Sequence, residues 1–251
     1  MVDNLNNLLL YFFLAVLPGT IWLSFFLQKD KLPEPKMKVL EIFFYGILAT
    51  IPAVLAEKAL LEGIGSLPVM DPAVALNLRY IIGVALPEEF FKYIIVAFFV
   101  LRRSCMDEPV DIPLYMIISA LGFATAENIL LFSDSTRTFG MILEPFGLSL
   151  VRFLGATLLH ALCSGIIGYF IALSYHKLKQ KWLFILSGFG IGIILHGLFD
   201  FYIEWTIMSA SNNNNYYFYI FFPIIIIIFM FVFLTFGFRQ LRKLKSICII
   251  K

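Results

Sequence analysis

The sequence predicts an all-α protein, a polytopic transmembrane helix bundle of about seven spans. Of its 251 residues, 61% are hydrophobic and only 14% are charged, whereas soluble domains carry about 25% charged residues. Apolar runs of roughly 20 residues, enough for a helix to cross about 30 Å of hydrocarbon, recur along the whole chain. The polar connections between them are too short to fold independently. We therefore expect a single integral-membrane domain over residues 1–251.

Three of the apolar runs carry further signals in the sequence. The first follows a segment without positive charge and precedes no small-residue cleavage site, so we interpret it as a retained span and not as a signal peptide. In the second, Glu57 and Lys58 lie near one end, where long side chains reach the headgroups, and we interpret them as interfacial. The isoleucines at 224–228 in the last run are expected to face lipid. The predicted spans lie near 7–27, 38–61, 76–101, 112–132, 148–174, 182–203 and 216–238.

Basic residues cluster in alternate connections, as the bias of Lys and Arg toward the cytosolic side requires. The connections near 62–75 and 204–215 contain neither residue type, and the one near 133–147 contains only Arg137. The N-terminus is therefore predicted to lie outside and the C-terminus in the cytosol, in what we expect to be a prokaryotic cell membrane. The clustered basic residues are Lys29, Lys31, Lys36 and Lys38, then Arg102 and Arg103, then Lys177, Lys179 and Lys181, and finally Arg239, Arg242, Lys243 and Lys245.

Ionisable residues inside the spans are the main signal for function, because an unpaired charge in the bilayer is costly. The third span contains Glu88 and Glu89 about 15–18 Å from its outer end, at about 1.5 Å per helical residue. Three further spans carry acid, amide or imidazole groups at a similar depth, although neighbouring spans run in opposite directions. We expect all of them to form one shared site within about 76–203. The additional residues are Glu127 and Asn128, then His160, then His196 and Asp200.

The spacing of these residues supplies partners for the buried charges. Glu88 and Lys92 are four residues apart on one helical face, so Lys92 is expected to neutralise Glu88. Glu89 points about 100° away from Glu88, so one carboxylate can face the pocket while the other braces a neighbouring helix. Pro87 removes a backbone donor just before the acidic pair and can open the helix there. Small residues in "GFATAEN", "HALCSGIIGYF" and "GFGIGIILHG" predict close approach of the helices.

Several carboxylates and two imidazoles in a sheltered pocket favour hydrolysis. A carboxylate can deprotonate a water molecule, and a second polar cluster can stabilise the oxyanion of an attacked amide. His160 and His196 can also hold a divalent metal, which we expect to be zinc, together with a carboxylate from Glu88, Glu89 or Glu127. Our predicted ligand set contains Glu127. The soluble-zincin arrangement is excluded because the sequence has no HExxH motif.

At these residues the sequence resembles the PrsW family of intramembrane proteases. "PEEFFKY" matches its EExxK motif, "GFATAEN" its second motif, "HALCSGIIGYF" its third and "HGLFDF" its HxxxD fourth, in the expected order over about residues 30–205. The resemblance implies an essential acidic pair, joined by a third glutamate with its asparagine, two histidines and a supporting aspartate. Residue by residue these are Glu88 and Glu89, Glu127 with Asn128, His160, His196 and Asp200. It leaves open whether water is activated by a metal or by glutamate alone, and we favour the metal.

The resemblance also implies partners. PrsW-like proteins are expected to cut single-span regulators such as anti-sigma factors, so we expect a membrane-anchored protein substrate, the lipid bilayer and no nucleic acid as partners. The family is similar to the CAAX prenyl proteases, but this chain departs from their pattern. Lys92 stands one position before their Arg, Glu127 follows Phe123 where their histidine is found, and Asp200 replaces their asparagine. A prenyl endopeptidase is therefore an alternative that we disfavour.

Two other classes of function remain open from the sequence. Intramembrane Glu, His and Lys residues also build proton relays, so a proton-coupled transporter or channel is the main alternative. Transporters usually contain repeated halves, and no repeat is evident here. The third possibility is a membrane scaffold that retains the pocket without catalysis.

Overall fold

The structure is a computed structural model that describes residues 2–30, 32–67, 71–102, 108–138, 145–211 and 216–244, and these residues are almost entirely helical. A π-helical segment, Arg79–Ala85, and a 3₁₀ turn, Leu178–Gln180, join some of the α-helices. The α-helices are α1 (Val2–Leu27), α2 (Lys36–Gly65), α3 (Pro72–Leu78), α4 (Leu86–Phe99), α5 (Asp111–Thr138), α6 (Pro145–Leu154), α7 (Ala156–His176), α8 (Lys181–Ser211) and α9 (Tyr216–Leu241).

The predicted all-α membrane bundle is confirmed. Within the described residues, six helical stretches are long and apolar enough to cross a membrane, and they coincide with six of the seven predicted spans. The remaining predicted span, 76–101, is instead built from α3, the π-helical segment and α4 in unbroken succession. This stretch differs from the others because no single α-helix in it reaches the length of a bilayer crossing.

The break in the third span lies directly before the acidic pair. The N–H of Leu86 donates to the carbonyl of Ile81, five residues back, and α4 begins there with Pro87 in its first turn. A proline has no N–H to donate and clashes with the carbonyl four residues before it in an α-helix, and the wider π turn relieves this conflict. The expectation that Pro87 opens the helix agrees with this geometry. Glu88 and Glu89 consequently lie in the first turn of α4.

The fifth predicted span also changes direction, at Gly155 between α6 and α7. A Cβ atom at Gly155 would lie 2.8 Å from the carbonyl oxygen of Val151, so this turn accepts only glycine without rearrangement. After the bend, α7 runs through the centre of the bundle and packs against α5, α8 and α9. The bend therefore allows one membrane span to carry a peripheral helix and the central one.

Helices α5 and α7 form the core, and the outer helices face lipid on one side. In the most apolar part of the span that contains α5, 78% of the residues are buried, and in that of the span that contains α7, 83% are buried. The corresponding share in α9 is 22%. The predicted lipid-facing isoleucines of α9 agree in part, because Ile224, Ile225 and Ile228 are exposed, whereas Ile226 and Ile227 pack on the core.

Glycines allow the close helix contacts that the small-residue motifs predict. A Cβ atom at Gly122 of α5 would overlap the carbonyl oxygen of Phe43 on α2. A Cβ atom at Gly197 of α8 would lie 2.7 Å from the Cα atom of Ile81. Backbone atoms cannot rotate out of the way as side chains can. These two contacts therefore fix the distances of α2 and of the π-helical segment from the core.

We expect Gly122→Ala to destabilise the protein by about 1–3 kcal/mol, the usual range for overpacking a tight contact. The added methyl group can be accommodated only if α2 and α5 separate. Gly190→Ala in α8 is the matched control, because a Cβ atom there meets nothing within 4 Å, and alanine is the better helix former. Thermal unfolding in detergent measures both. Equal melting temperatures for the two variants would contradict the close contact.

Candidate active site

The ionisable residues of the four predicted spans lie in one connected group. Their side chains contact one another across α4, α5, α7 and α8, and most of them are buried although they are charged or polar. The group contains every residue predicted from the sequence: Glu88, Glu89, Lys92, Glu127, Asn128, His160, His196 and Asp200.

Lys92 lies at the centre of this group and is fully buried. Its Nζ atom donates to Glu88 Oε2 at 3.1 Å and to Glu89 Oε1 at 2.8 Å. It also lies 2.7 Å from His160 Nδ1 and 4.4 Å from the centre of the Phe123 ring. The ammonium thus neutralises both members of the acidic pair, whereas the sequence predicted only its pairing with Glu88.

Glu89 is held by three helices. Its Oε1 atom accepts from Lys92 and lies 3.0 Å from His196 Nδ1, and its Oε2 atom accepts from the Ser164 hydroxyl at 2.6 Å. Both carboxylate oxygens are therefore engaged, and the side chain has no exposed surface. This arrangement agrees with the expectation that one carboxylate braces neighbouring helices.

The contacts of His160 define its protonation. An ammonium can only donate, so Nδ1 of His160 accepts from Lys92 and the ring proton lies on Nε2. This Nε2–H group then donates to Glu127 Oε2 at 2.8 Å. Glu127 therefore orients the imidazole from the side opposite Lys92.

His196 presents its second ring nitrogen to two carboxylates. A carboxylate accepts, so Nδ1–H of His196 donates to Glu89, and in the neutral form of the ring the lone pair is on Nε2. Nε2 lies 3.6 Å from Glu88 Oε2 and 3.4 Å from Asp200 Oδ2. The two imidazole rings are 4.9 Å apart and nearly perpendicular. Nε2 of His196 can therefore bind a metal or accept a proton from water.

One potential metal ligand atom from each of Glu88, His160 and His196 converges in the site, and these three atoms lie within 4.8 Å of one another. Glu88 Oε2 lies 3.5 Å from His160 Nδ1 and 3.6 Å from His196 Nε2. Ligands about 2.0–2.1 Å from a tetrahedral zinc lie about 3.4 Å apart, so these distances fit a metal. The carboxylate of this group is Glu88, whereas our predicted ligand set contains Glu127. Glu127 instead pairs with His160 Nε2.

The charge of the group also suits a divalent cation. Four carboxylates lie in this group, from Glu88, Glu89, Glu127 and Asp200, and among the described residues their ion pairs with Lys or Arg are to the ammonium of Lys92 and the guanidinium of Arg152. With the acids ionised, these six groups carry two more negative charges than positive ones. Lys92 already contacts Glu88 and His160, which are two of the candidate metal ligands. The ammonium and a metal would therefore compete for His160 Nδ1.

The site opens on the side of Glu127 and Asp200, whose side chains are 26% and 25% exposed, whereas that of Glu88 is 6% exposed. Glu57, interpreted as interfacial from the sequence, is half-buried, and its charge interacts with those of Glu127 and Asp200. Lys58 is exposed, in agreement with that interpretation. Glu57 is therefore close enough to the site to interact with it electrostatically.

Sequence reasoning missed three polar side chains that hold the site together. Arg152 of α6 donates to Glu127 Oε2 at 3.0 Å and to Asn128 Oδ1 at 2.5 Å. Asn128 in turn donates to the Thr157 hydroxyl at 3.2 Å, and Ser164 donates to Glu89. Arg152 had a signal, because it is a basic residue inside the predicted span 148–174 and therefore needs a partner. Ser164 and Thr157 had none, since hydroxyl groups are common in membrane helices.

The helix bundle and its buried group of carboxylates and imidazoles place this protein among the membrane-embedded proteins that have an ionisable site. Intramembrane enzymes belong to this class. Residues 34–228 match the family model described as PrsW family intramembrane metalloprotease. Protease PrsW of Geobacillus kaustophilus is 32% identical over 201 residues, covering 79% of this chain and 80% of the relative. Protease PrsW of Bacillus subtilis is 29% identical over 238 residues, covering 93% and 94%.

The chain belongs to the PrsW family of intramembrane metalloproteases. It is an integral membrane protein and a membrane protease, and such an enzyme acts on membrane-protein substrates within lipid. The family description implies a metal. No solved structure matches the chain with significance.

We expect Arg152→Met to lower kcat for proteolysis roughly tenfold to a hundredfold, because a mispositioned catalytic group costs about that much. Without the guanidinium, Glu127 loses its ion pair and no longer holds His160 in one orientation. The kcat of Arg152→Lys should lie between those of the wild type and Arg152→Met, since an ammonium lacks the fork that reaches Glu127 and Asn128 together. Arg102→Met, at an exposed arginine after α4, is the control.

A double-mutant cycle in a cleavage assay separates positioning from general stability. If Arg152 acts through Glu127, then Arg152→Met should add little to the loss already caused by Glu127→Gln. Fully additive losses would contradict this role.

Proposed function

We propose that the protein hydrolyses a peptide bond of a membrane-anchored protein at the group formed by Glu88, Glu89, His160 and His196. The observation that carries this proposal is the position of Glu88 Oε2, 3.5 Å from one imidazole and 3.6 Å from the other. A carboxylate beside two imidazoles in an almost fully buried site is suited to hold and deprotonate one water molecule.

In this proposal the two members of the acidic pair have different roles. Glu88 is the general base, because Glu89 has both oxygens engaged by Lys92, His196 and Ser164. Glu89 keeps the His196 ring oriented with its Nε2 lone pair toward Glu88. Lys92 holds the acidic pair and supplies positive charge near the oxyanion that forms during attack.

We infer that the donor set Glu88, His160 and His196 holds the metal that the family description implies, and that this metal is zinc. Two imidazoles and one carboxylate are a common catalytic zinc set with an open position. When bound, such an ion would lower the pKa of water and polarise a carbonyl group. Glu88 would hold it through Oε2, the oxygen beside both imidazoles, and Oε1 would remain to accept the proton of the water. Glu127 and Asp200 then act on the ligands, Glu127 by fixing the His160 ring and Asp200 from 3.4 Å beside His196.

We propose that the substrate is a single-span regulator of the anti-sigma-factor type, as the family resemblance implies. The exposed edge of the site, at Glu127 and Asp200, is where an unwound substrate segment would reach Glu88. Co-reconstitution of the purified protein with a candidate single-span substrate in liposomes tests the proposal. A pH-sensitive dye inside the same liposomes tests proton transport. Cleavage without proton flux is expected, and proton flux without cleavage would contradict the proposal.

We further propose that the N-terminus lies outside and the C-terminus in the cytosol of a prokaryotic cell membrane. In a variant whose three native cysteines are replaced, a membrane-impermeant thiol reagent should label Ser66→Cys in intact cells but not Lys179→Cys. Both positions are exposed at opposite predicted ends of the bundle. The reverse labelling pattern would contradict the charge-based orientation.

A further inference from the structure

A cavity of about 260 Å³ lies between the C-terminal ends of α1 and α9. Its walls are apolar and largely aromatic. Phe26, Phe231 and Phe238 line its sides, and Leu234 and the fully buried Leu162 of α7 line its base. The cavity therefore offers a pre-formed apolar slot that reaches the central helix.

Three cations surround this apolar slot. Lys29, Arg239 and Arg242 line the cavity, and all three are exposed. The Nζ atom of Lys29 lies 4.4 Å from the centre of the Phe25 ring. Arg242 donates to the backbone carbonyl of Lys29, so the end of α9 is tied to the turn after α1. None of the described residues that line the cavity is acidic.

An apolar cavity surrounded by three cations is suited to bind an amphiphilic anion. Basic residues near helix ends also serve as topological anchors, but an anchor needs no concave apolar surface beside it. This end of the bundle is the one that the charge pattern predicts to be cytosolic, where the membrane surface is rich in anionic lipid. A zwitterionic lipid would bring its own ammonium toward three cations, so the charge of the headgroup would decide the selection.

We propose that this cavity binds one anionic phospholipid of the cytosolic leaflet. Its phosphate would lie against Lys29, Arg239 and Arg242, and an acyl chain would lie along the phenylalanine walls. The base residue Leu162 follows His160 by two positions on α7. A bound lipid would therefore join α1 and α9 to the helix that carries a site histidine. The proposal is independent of the proteolytic function.

Native mass spectrometry of the purified full-length protein tests the site, with phosphatidylglycerol and phosphatidylcholine of identical acyl chains as probes. We expect one retained phosphatidylglycerol, bound at least about tenfold more tightly than phosphatidylcholine, from the contribution of each basic residue near an anionic headgroup. The variant with Lys29→Gln, Arg239→Gln and Arg242→Gln should lose this preference. Thr235→Trp, which fills the cavity without changing charge, should also lose the bound lipid.

Two controls make the outcome decisive. Lys177→Gln with Lys179→Gln and Lys181→Gln removes the same number of charges from another connection at the same predicted surface, and it should bind lipid as the wild type does. Inorganic phosphate at millimolar concentration should not displace the lipid. Equal losses in both triple variants would overturn the proposal in favour of diffuse charge attraction. Displacement by phosphate, or unchanged binding in Thr235→Trp, would overturn it in favour of a simple anion site.

Discussion

Glu88→Gln is expected to abolish proteolysis, with a loss in kcat of about 10²–10⁴, the usual contribution of general base catalysis. Glutamine keeps the bulk of the side chain but cannot accept the proton of the attacking water. The variant should remain folded and inserted, because Lys92 keeps its bond to Glu89 at 2.8 Å. Cleavage of a co-reconstituted single-span substrate measures the effect.

Glu89→Gln should be equally inactive but also less stable. Glu89 contacts Lys92, His196 and Ser164, and removing one partner of a buried ion pair typically costs about 3–5 kcal/mol. Glu62→Gln, at an exposed carboxylate of α2, is the matched control for both variants. Wild-type turnover by the Glu88→Gln protein would refute its role as the base.

Removal of metal is expected to have an effect of similar size. A strong chelator should abolish cleavage, and zinc should restore it, because the two imidazoles and Glu88 lie at distances that fit a metal. Elemental analysis should find about one metal ion per chain in the wild type and a loss of it in His160→Ala and in His196→Ala.

The third histidine of the chain provides the control for metal binding. His176 lies at the end of α7, and its Nδ1 atom is 3.2 Å from the carbonyl of Ala172, away from the acidic group. His176→Ala should keep both the metal and the activity. Full activity in a verified metal-free preparation would exclude the metal and leave Glu88 to activate water alone.

The sequence was sufficient to predict the bundle and the convergence of its ionisable residues, because both depend on local patterns. Long apolar runs predict spans whatever their packing, and each buried charge requires a partner at its own depth. Four motifs in four spans at one depth therefore predicted that Glu88, Glu127, His160 and His196 converge. The small-residue motifs likewise predicted the close contacts that the structure has at Gly122 and Gly197.

What the sequence could not provide depends on three-dimensional geometry. The π turn before Pro87 and the bend at Gly155 are local responses to backbone conflicts, which hydropathy does not register. Glu88 on α4 lies near both imidazoles, whereas Glu127 on α5 contacts His160 at Nε2, so the converging group contains Glu88 and not the Glu127 of the predicted ligand set. The sequence indicates that Arg152 needs a partner inside the membrane, but only its contacts identify Glu127 and Asn128 as the partners.

The most direct test of a buried Glu–His site that hydrolyses a membrane protein is the chemistry of the product. The purified protein and a single-span substrate are incubated in liposomes prepared in H₂¹⁸O, and the fragments are identified by mass spectrometry. We predict one cut in the outer half of the predicted bilayer crossing or just beyond it, with one ¹⁸O atom in the new carboxyl terminus. Neither fragment should form with the Glu88→Gln variant. An intact substrate with the wild-type protein, or the same cut with Glu88→Gln, would contradict the account.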